Sequence, residues 1–204
     1  MKYKDTKVSF ISNEEIKNKA DNFRLKYWRN EIPVGIEEIV ELKLKISIIP
    51  IPNLMSQCGL DAQITSDFSS IYVDQRNYEN ETSRFRFSLA HELGHLVLHK
   101  IFYEALNISS MDEVYEFIYE IDADEYSYLE TQANKFANYF LVPREELSKI
   151  REKILTEKLS KKQDISVFDE KTLNSYLAGH IASLFLVSSG TVEIALNDLS
   201  SLKK

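Results

Sequence analysis

The chain has 204 residues, of which 44% are hydrophobic, enough for one domain with a sizeable core or one domain plus an appendage. Its net charge of -7 argues against non-specific binding to nucleic acid, which needs a positive surface. The single cysteine, Cys58, excludes an internal disulfide framework and a multi-cysteine zinc site, and it fits a reducing cytoplasm. We find no signal peptide and no apolar run of membrane-spanning length, so we expect no membrane attachment.

Two helices are predicted near the start of the chain. Ser12 is suited to cap a helix that runs to about Trp28, because a glutamate follows three residues later and apolar residues recur at helical spacing. Pro33 favours the start of a shorter helix that ends at about Leu42.

Three β-favouring stretches follow. Residues 46–49 predict a strand that Pro50 ends, and residues 60–65 and 71–73 predict two more. Together they indicate a small twisted sheet packed against the helix that comes next. An exposed edge strand of such a sheet can bind an extended peptide, but the pattern does not say which strand is the edge.

The most informative stretch is HELGH, which contains His91, Glu92 and His95. It lies in an apolar segment that predicts a buried helix from about Thr82 to Lys100. Residues four apart share one face of a helix, so the two imidazoles can hold one metal ion and Glu92 can reach a water molecule on it. The alternative is a pair of core histidines with ordinary hydrogen bonds.

Residues 101–127 are rich in acidic side chains and allow two interpretations. The first is a solvated helix and loop. The second is a lid that repels acidic substrates or attracts basic ones.

A second strong helix is predicted over residues 128–140, and Pro143 is suited to start a third that reaches about Leu159. Four apolar residues form the buried face of the second helix: Ala133, Phe136, Ala137 and Phe140. Glu130 points the same way, and a carboxylate on a buried face requires a charged partner.

The rest of the chain predicts a linker at residues 161–164 and then two helices joined by a short turn, a pattern that resembles a helix-turn-helix. The second helix offers Glu193, Asn197 and Asp198 where DNA-reading side chains would lie, and no lysine or arginine. We therefore expect no direct contact with nucleic acid.

A hydrolytic zinc site takes three protein ligands and leaves one position for water, so a third ligand is needed. Ile101 stands where one class of zinc peptidases has its third histidine, which excludes that class. His99 is better suited to a helix end or a pocket, and His180 is a weaker candidate still. Glu130 fits best, because it lies on a separate helix and faces the core. Asn134, one turn further on, can accept the second N–H of a ligand histidine and fix its orientation.

Together the two motifs resemble one known family. The stretch FSLAHELGHL (residues 87–96), followed by ETQANKFANYFLVP (residues 130–143), is similar to the ImmA/IrrE family of metallopeptidases. The helix-turn-helix-like tail is also typical of that family. Phe140 and Val142 stand where leucine and methionine are commoner, and these apolar exchanges leave the chemistry in place.

The resemblance implies an α+β, zincin-like fold of gluzincin type, mostly helical, with the small sheet packed on the HExxH helix. We expect a metallopeptidase domain over residues 1–160 and a helix-turn-helix-like region over residues 161–204. The resemblance also implies that His91, His95 and Glu130 bind Zn²⁺ and that Glu92 is the catalytic acid/base. The implied activity is that of a cytoplasmic, site-specific endopeptidase of bacterial, phage or mobile-element origin, whose protein substrate is a helix-turn-helix repressor.

Two other functions stay open. A metal-stabilised protein-binding regulator, such as an anti-repressor or a toxin–antitoxin component, would act without proteolysis and would need a fourth protein ligand, for which His99 is the nearest candidate. A DNA-binding regulator acting through residues 164–204 would bind duplex in a salt-dependent way. For the peptidase, a further oxyanion donor is expected, and the candidates are Tyr103, Tyr126, Tyr128 and His180.

Overall fold

The computed structural model describes residues 2–108, 110–160 and 168–201. These residues form eleven α-helices and three strands, which confirms the expected α+β class. The helices are α1 (Asn13–Tyr27), α2 (Ile36–Glu38, continued by a π-helical turn, Ile39–Lys43), α3 (Leu54–Cys58), α4 (Gln75–Asn80), α5 (Thr82–Leu98), α6 (Lys100–Leu106), α7 (Met111–Glu120), α8 (Ala123–Leu141), α9 (Arg144–Ser160), α10 (Glu170–Phe185) and α11 (Ser189–Ser201). The strands are β1 (Ser47–Ile51), β2 (Ala62–Ile64) and β3 (Ser70–Asp74).

The sheet has the strand order β1-β3-β2, so β1 and β2 are its edges. β1 is parallel to β3, whereas β2 is antiparallel to it and lies next to α5. The prediction that Pro50 ends the first strand is wrong, because Pro50 lies within β1 opposite Val73 of β3. An edge strand tolerates proline, since the position without an N–H can face away from the neighbouring strand.

The start of the second helix is also corrected. Ser12 caps α1 as predicted, but α2 begins at Ile36 and not at Pro33. The intervening residues turn around the indole of Trp28, whose Nε1 donates to the carbonyl oxygen of Glu31 at 3.2 Å. Gly35 packs so closely on this ring that a Cβ at its position would overlap it, and the helix begins only after this contact.

The two long central helices, α5 and α8, pack on each other and on α1. α5 has nearly the predicted bounds. α8 begins five residues earlier than expected, because Asp122 caps it by accepting hydrogen bonds from the backbone N–H groups of Asp124 and Glu125. The predicted apolar face of α8 is fully buried, at 0% exposure: Ala133, Phe136, Ala137 and Phe140.

The acid-rich segment is helical with exposed acidic side chains, as the first interpretation expects, but it is more than a solvated helix and loop. It forms α6, α7 and the first turn of α8, and it has apolar residues of its own that build a second, smaller core. The buried members of this core are Tyr3, Tyr103, Ile108, Phe117, Ile121 and Leu129. Acidic side chains of the segment hold the N-terminal residues, since Glu120 accepts from the backbone N–H of Tyr3 at 3.0 Å and Glu125 from that of Val8 at 2.8 Å.

The tail helices α10 and α11 contribute to the main core and meet at a bend of 116°. Arg144 binds Asp198 of α11 at 2.9 Å, and the side-chain amide of Asn138 donates to the carbonyl oxygen of Thr191 at 2.9 Å. The predicted linker at 161–164 lies outside the described residues, and the division of the chain there stays a prediction. Among the described helices, none by itself has the length and apolar character of a membrane span; α10 and α11 reach that threshold only as a bent pair.

Candidate metal centre

Three side chains from α5 and α8 converge on one point. His91 and His95 lie one turn apart on α5, and their Nε2 atoms are 2.9 Å from each other. Glu130 of α8 reaches both, with Oε2 3.1 Å from Nε2 of His91 and Oε1 3.5 Å from Nε2 of His95. The structure thus brings together the two imidazoles and the distant carboxylate that the sequence indicates as ligands, with all three ligand atoms within 4.8 Å of one another.

Close packing of the two helices makes this convergence possible. Gly94, between the two histidines, faces Ala133 of α8. A Cβ at Gly94 would lie 3.0 Å from both the Cα and the carbonyl oxygen of Ala133, closer than an ordinary contact between such atoms. The absence of a side chain at this position therefore sets how near α8 and its Glu130 come to α5.

The outer nitrogen of each histidine has a partner of its own. Nδ1 of His91 lies 3.0 Å from Oδ1 of Asn134, in the arrangement expected from the sequence. Nδ1 of His95 lies 3.2 Å from Nδ1 of His99, whose other nitrogen lies 2.9 Å from Oε1 of Gln132. His99 therefore contacts the back of His95 and takes no part in the three-residue cluster. Such contacts orient ligand imidazoles and fix their tautomers.

The surroundings of the two ligand histidines shift their pKa values in opposite directions. Burial lowers the pKa of His91, but the hydrogen bond to Glu130 and the negative charge of Glu92 outweigh it and raise the pKa to about 9. Burial and the neighbouring His91 and His99 hold the pKa of His95 well below its usual value. His91 thus attracts positive charge, and a metal ion and this proton exclude each other because metal ligands must be deprotonated.

Glu92 lies beside the cluster with only 4% of its surface exposed. Its Oε2 accepts a hydrogen bond from the backbone N–H of Ile64 in β2, at 2.8 Å. Burial raises the pKa of Glu92 to about 7, against the opposing effects of His91 and of the Ile64 hydrogen bond. A carboxyl group with this pKa can both accept and release a proton near neutral pH.

The cluster opens into a cavity of about 430 Å³. One wall is the edge strand β2 with the turn that follows it, and the opposite wall is the second core, through Ile108, Val114, Phe117 and Ile118. Of the described residues that line the cavity, none is a lysine or arginine, whereas Asp67 joins the two glutamates there. The cavity therefore carries an excess of negative charge.

The sequence profile of the family described as the IrrE N-terminal-like domain, Peptidase_M78, matches residues 61–197. The chain belongs to this family. No curated protein matches the sequence. Among solved structures, a transcriptional regulator of Mycobacterium tuberculosis aligns with a TM-score of 0.52 at 14% identity, over 88% of this chain. The aligned part is 45% of that protein, so the chain spans less than half of its length, and the likeness concerns the fold alone.

The donor set of this IrrE-like chain fits a divalent metal ion. Two imidazole nitrogens and one carboxylate are the ligands that zinc takes in hydrolytic sites. Both histidines have a partner on Nδ1 that leaves Nε2 facing Glu130. The residues that would hold the ion are His91, His95 and Glu130.

Of the four candidate oxyanion donors, the structure brings two to the cavity. Tyr103 and Tyr126 line it, and burial, reinforced by nearby glutamates, raises the pKa of both hydroxyls. Tyr128 is 56% exposed and does not line the cavity, and His180 lies on α10 against the ring of Tyr176. Tyr126 precedes Glu130 by one turn of α8, so both lie on the face that points into the cavity.

Sequence reasoning missed three features of the site. The anchoring of Glu92 by Ile64 joins residues 28 positions apart and leaves no local signal. The pairing of His99 with Gln132 is hidden in the same way. The cavity wall on α7 did leave a signal, because Val114, Phe117 and Ile118 recur at helical spacing within the acidic segment.

Proposed function

We propose that this chain is a zinc-dependent, site-specific endopeptidase with zincin-like packing of β2 and α5. The observation that carries the proposal is the meeting of His91, His95 and Glu130 beside a buried Glu92, at the floor of a cavity with an edge strand along it. A bound zinc ion would lower the pKa of its water ligand and polarise the scissile carbonyl.

Glu92 is the acid/base in this proposal. The Ile64 N–H holds one of its oxygens, which fixes the direction of the carboxyl group toward the cavity. Glu92 takes the proton from the attacking water and then delivers it to the leaving amine nitrogen.

Tyr126 is proposed as the donor to the developing oxyanion, with Tyr103 as the second candidate. A phenol whose pKa is raised keeps its proton at neutral pH and can donate it in a hydrogen bond. Tyr126 is favoured because it lies on the same face of α8 as Glu130, on the approach to the cluster.

The substrate is proposed to be a protein segment bound in extended form along β2. Edge strands bind extended peptides through backbone hydrogen bonds, and β2 is the sheet edge that lines the cavity. The carboxylates there favour a neutral or basic segment over an acidic one. In keeping with the resemblance to the ImmA/IrrE family, we propose that the substrate is a cytoplasmic DNA-binding repressor that offers such a segment.

The direct test replaces Glu92 with Gln, which keeps an acceptor for the Ile64 N–H but cannot take a proton. Cleavage of a helix-turn-helix repressor that the unaltered chain cleaves should fall by about 10²- to 10⁴-fold while the zinc content stays the same. Glu116→Gln, on the exposed side of α7, removes the same charge away from the cavity and should cleave normally. Undiminished cleavage by the metal-loaded Glu92→Gln protein would show that Glu92 is not the acid/base.

The alternative is a protein-binding regulator whose metal only stabilises the fold. A structural zinc site is closed by four protein ligands. Among the described residues the cluster has three, and the nearest further histidine, His99, faces Gln132 and the back of His95. The three-ligand cluster at an open cavity favours the peptidase.

A further inference from the structure

We propose that His99 and Gln132 are positioning residues that fix the tautomer of His95, so that the Nε2 lone pair of His95 faces the metal. This inference rests on the proposed metal centre and is independent of whether the chain cleaves peptides. It is carried by an uninterrupted line of hydrogen bonds from the backbone of the N-terminal segment to the ligand histidine.

The line of hydrogen bonds begins at a backbone carbonyl group, whose role as acceptor is fixed. The carbonyl oxygen of Ser9 can only accept a hydrogen bond, and a side-chain amide nitrogen of Gln132, Nε2, lies 3.0 Å from it. The amide of Gln132 is therefore oriented with its oxygen on the other side. That oxygen lies 2.9 Å from Nε2 of His99 and also can only accept, so Nε2 of His99 carries the proton.

The same logic then reaches His95. A neutral imidazole has one N–H, so Nδ1 of His99 presents a lone pair to Nδ1 of His95 at 3.2 Å. Nδ1 of His95 must then be the donor, and its remaining nitrogen, Nε2, is left unprotonated beside Glu130 and His91. With the opposite tautomer, a hydrogen atom would stand where the metal has to bind.

Burial gives this line its energetic weight. His95, His99 and Gln132 are only 2%, 4% and 5% exposed, so solvent cannot readily replace a lost partner. A buried donor or acceptor that loses its partner stays unpaired, which is more costly than the loss of a hydrogen bond at the surface. The two ligand histidines are thus oriented by different means: His91 by Asn134 of α8 directly, and His95 through His99 from a backbone carbonyl outside both helices.

Two substitutions of one residue, made in the full chain, separate positioning from packing. His99→Leu fills much of the space but offers no acceptor to His95. His99→Asn also loses the ring, yet its side-chain oxygen can occupy the place of Nδ1 and accept from His95. Zinc affinity is measured by competition with a chromophoric chelator, and the site is inspected by the visible absorption bands of the Co²⁺-substituted protein.

We expect His99→Leu to weaken zinc binding by about 10- to 100-fold, as loss of an outer partner of a ligand histidine does elsewhere, and to change the Co²⁺ bands. His99→Asn should stay within a few-fold of the unaltered chain and keep its bands. Equal losses in both variants would mean that only the volume of His99 matters, and no loss in either would mean that His95 needs no such partner; both results overturn the proposal.

A second substitution tests the proposal even if the His99→Leu protein does not fold. Gln132→Met keeps the length of the side chain and removes the acceptor for Nε2 of His99, so it should weaken zinc binding in the same direction. The double variant His99→Leu/Gln132→Met should lose no more zinc affinity than His99→Leu alone, because both residues act on His95 through the same series of hydrogen bonds. Additive losses, or an unchanged zinc affinity in Gln132→Met, contradict the proposal. If zinc binds as expected and no peptide is cleaved, only the peptidase proposal falls.

Discussion

Replacing Gly94 with alanine should separate the two helices that carry the metal ligands. The added Cβ would lie 3.0 Å from the Cα and the carbonyl oxygen of Ala133 and 3.3 Å from Cβ of Phe136. Two of these atoms are backbone and cannot rotate away. Since carbon atoms pack best at about 3.5–4.0 Å, α8 must retreat by roughly 0.5 Å at this point.

The energetic consequences can be estimated from opposing effects. Overpacking a well-packed interior costs about 1–3 kcal/mol. Alanine gains about 1 kcal/mol over glycine inside a helix, which offsets part of this cost. Because the obstructing atoms are backbone, we expect the upper part of the range and a net destabilisation of about 1–2 kcal/mol, which lowers the melting temperature by roughly 2–8 °C for a chain of this size.

The site should suffer more than the fold. A metal site needs its ligands within about 0.5 Å of the productive geometry, so a shift of this size uses up the whole tolerance, and Glu130 lies only one turn from the displaced Ala133. Gly94→Ala should therefore weaken zinc binding in the chelator competition. Gly179→Ala, inside α10, is the matched control, because nothing lies within 4 Å of the added Cβ; it should stabilise the chain by up to about 1 kcal/mol and leave zinc affinity unchanged. If thermal melts show Gly94→Ala to be as stable as Gly179→Ala, with the same zinc affinity, the packing argument is refuted.

Two further predictions concern the proposed oxyanion donor and a buried cap. Tyr126→Phe should lower kcat for a cleaved substrate by about 10²-fold with a smaller effect on KM and with unchanged zinc content, because the hydroxyl acts on charge that develops in the transition state; an unchanged kcat in steady-state assays contradicts this role. Asp74 accepts from the backbone N–H groups of Met55 at 2.9 Å and Asn77 at 3.2 Å, and the Met55 hydrogen bond in particular holds its pKa below the ordinary value. Because the folded-state pKa is the lower one, this stabilisation is complete above an unfolded pKa of about 3.9 and is lost as pH falls through the folded value. Asp74→Ala should cost about 2 kcal/mol in urea melts of the metal-free chain at pH 7, and the difference should shrink below about pH 4; a difference that is constant with pH refutes the assignment.

Helical spacing allows the sequence to predict the long elements of the fold but not the short ones. α1, α5, α8 and α9 have apolar residues at helical intervals, and Ser12 and Pro143 also mark the starts of α1 and α9. α3 and α4 have five and six residues, too few to show such a period. The predicted strand end at Pro50 is wrong because proline is excluded only from strands with neighbours on both sides, and the pattern does not reveal strand order.

In the candidate site too, the sequence predicts what depends on spacing within one helix and misses what depends on contacts between elements. The spacing of His91 and His95, and of Glu130 and Asn134, is local, and helical periodicity alone places each pair on one helix face. That the two faces meet depends on Gly94 and Ala133, whose contact spans two helices. The direction of Glu92 depends on an N–H of β2, and no periodicity carries that information.

Two sets of contacts control the two parts of the site. The ligand helices belong to the main core, together with α10 and α11, whereas the far wall of the cavity belongs to the second core around Tyr103 and Phe117. Phe68 packs against both cores and joins them in the turn after β2, and its ring lies 6.4 Å from that of Tyr103. The acid-rich segment supplies that wall and also contacts the ligand helices, because Leu129, beside Glu130, is buried in the second core and the ring of Tyr103 lies 5.3 Å from that of His95. Its acidic side chains face the N-terminal residues and the outside, and its apolar side chains form the wall, which explains why composition alone indicates a solvated segment.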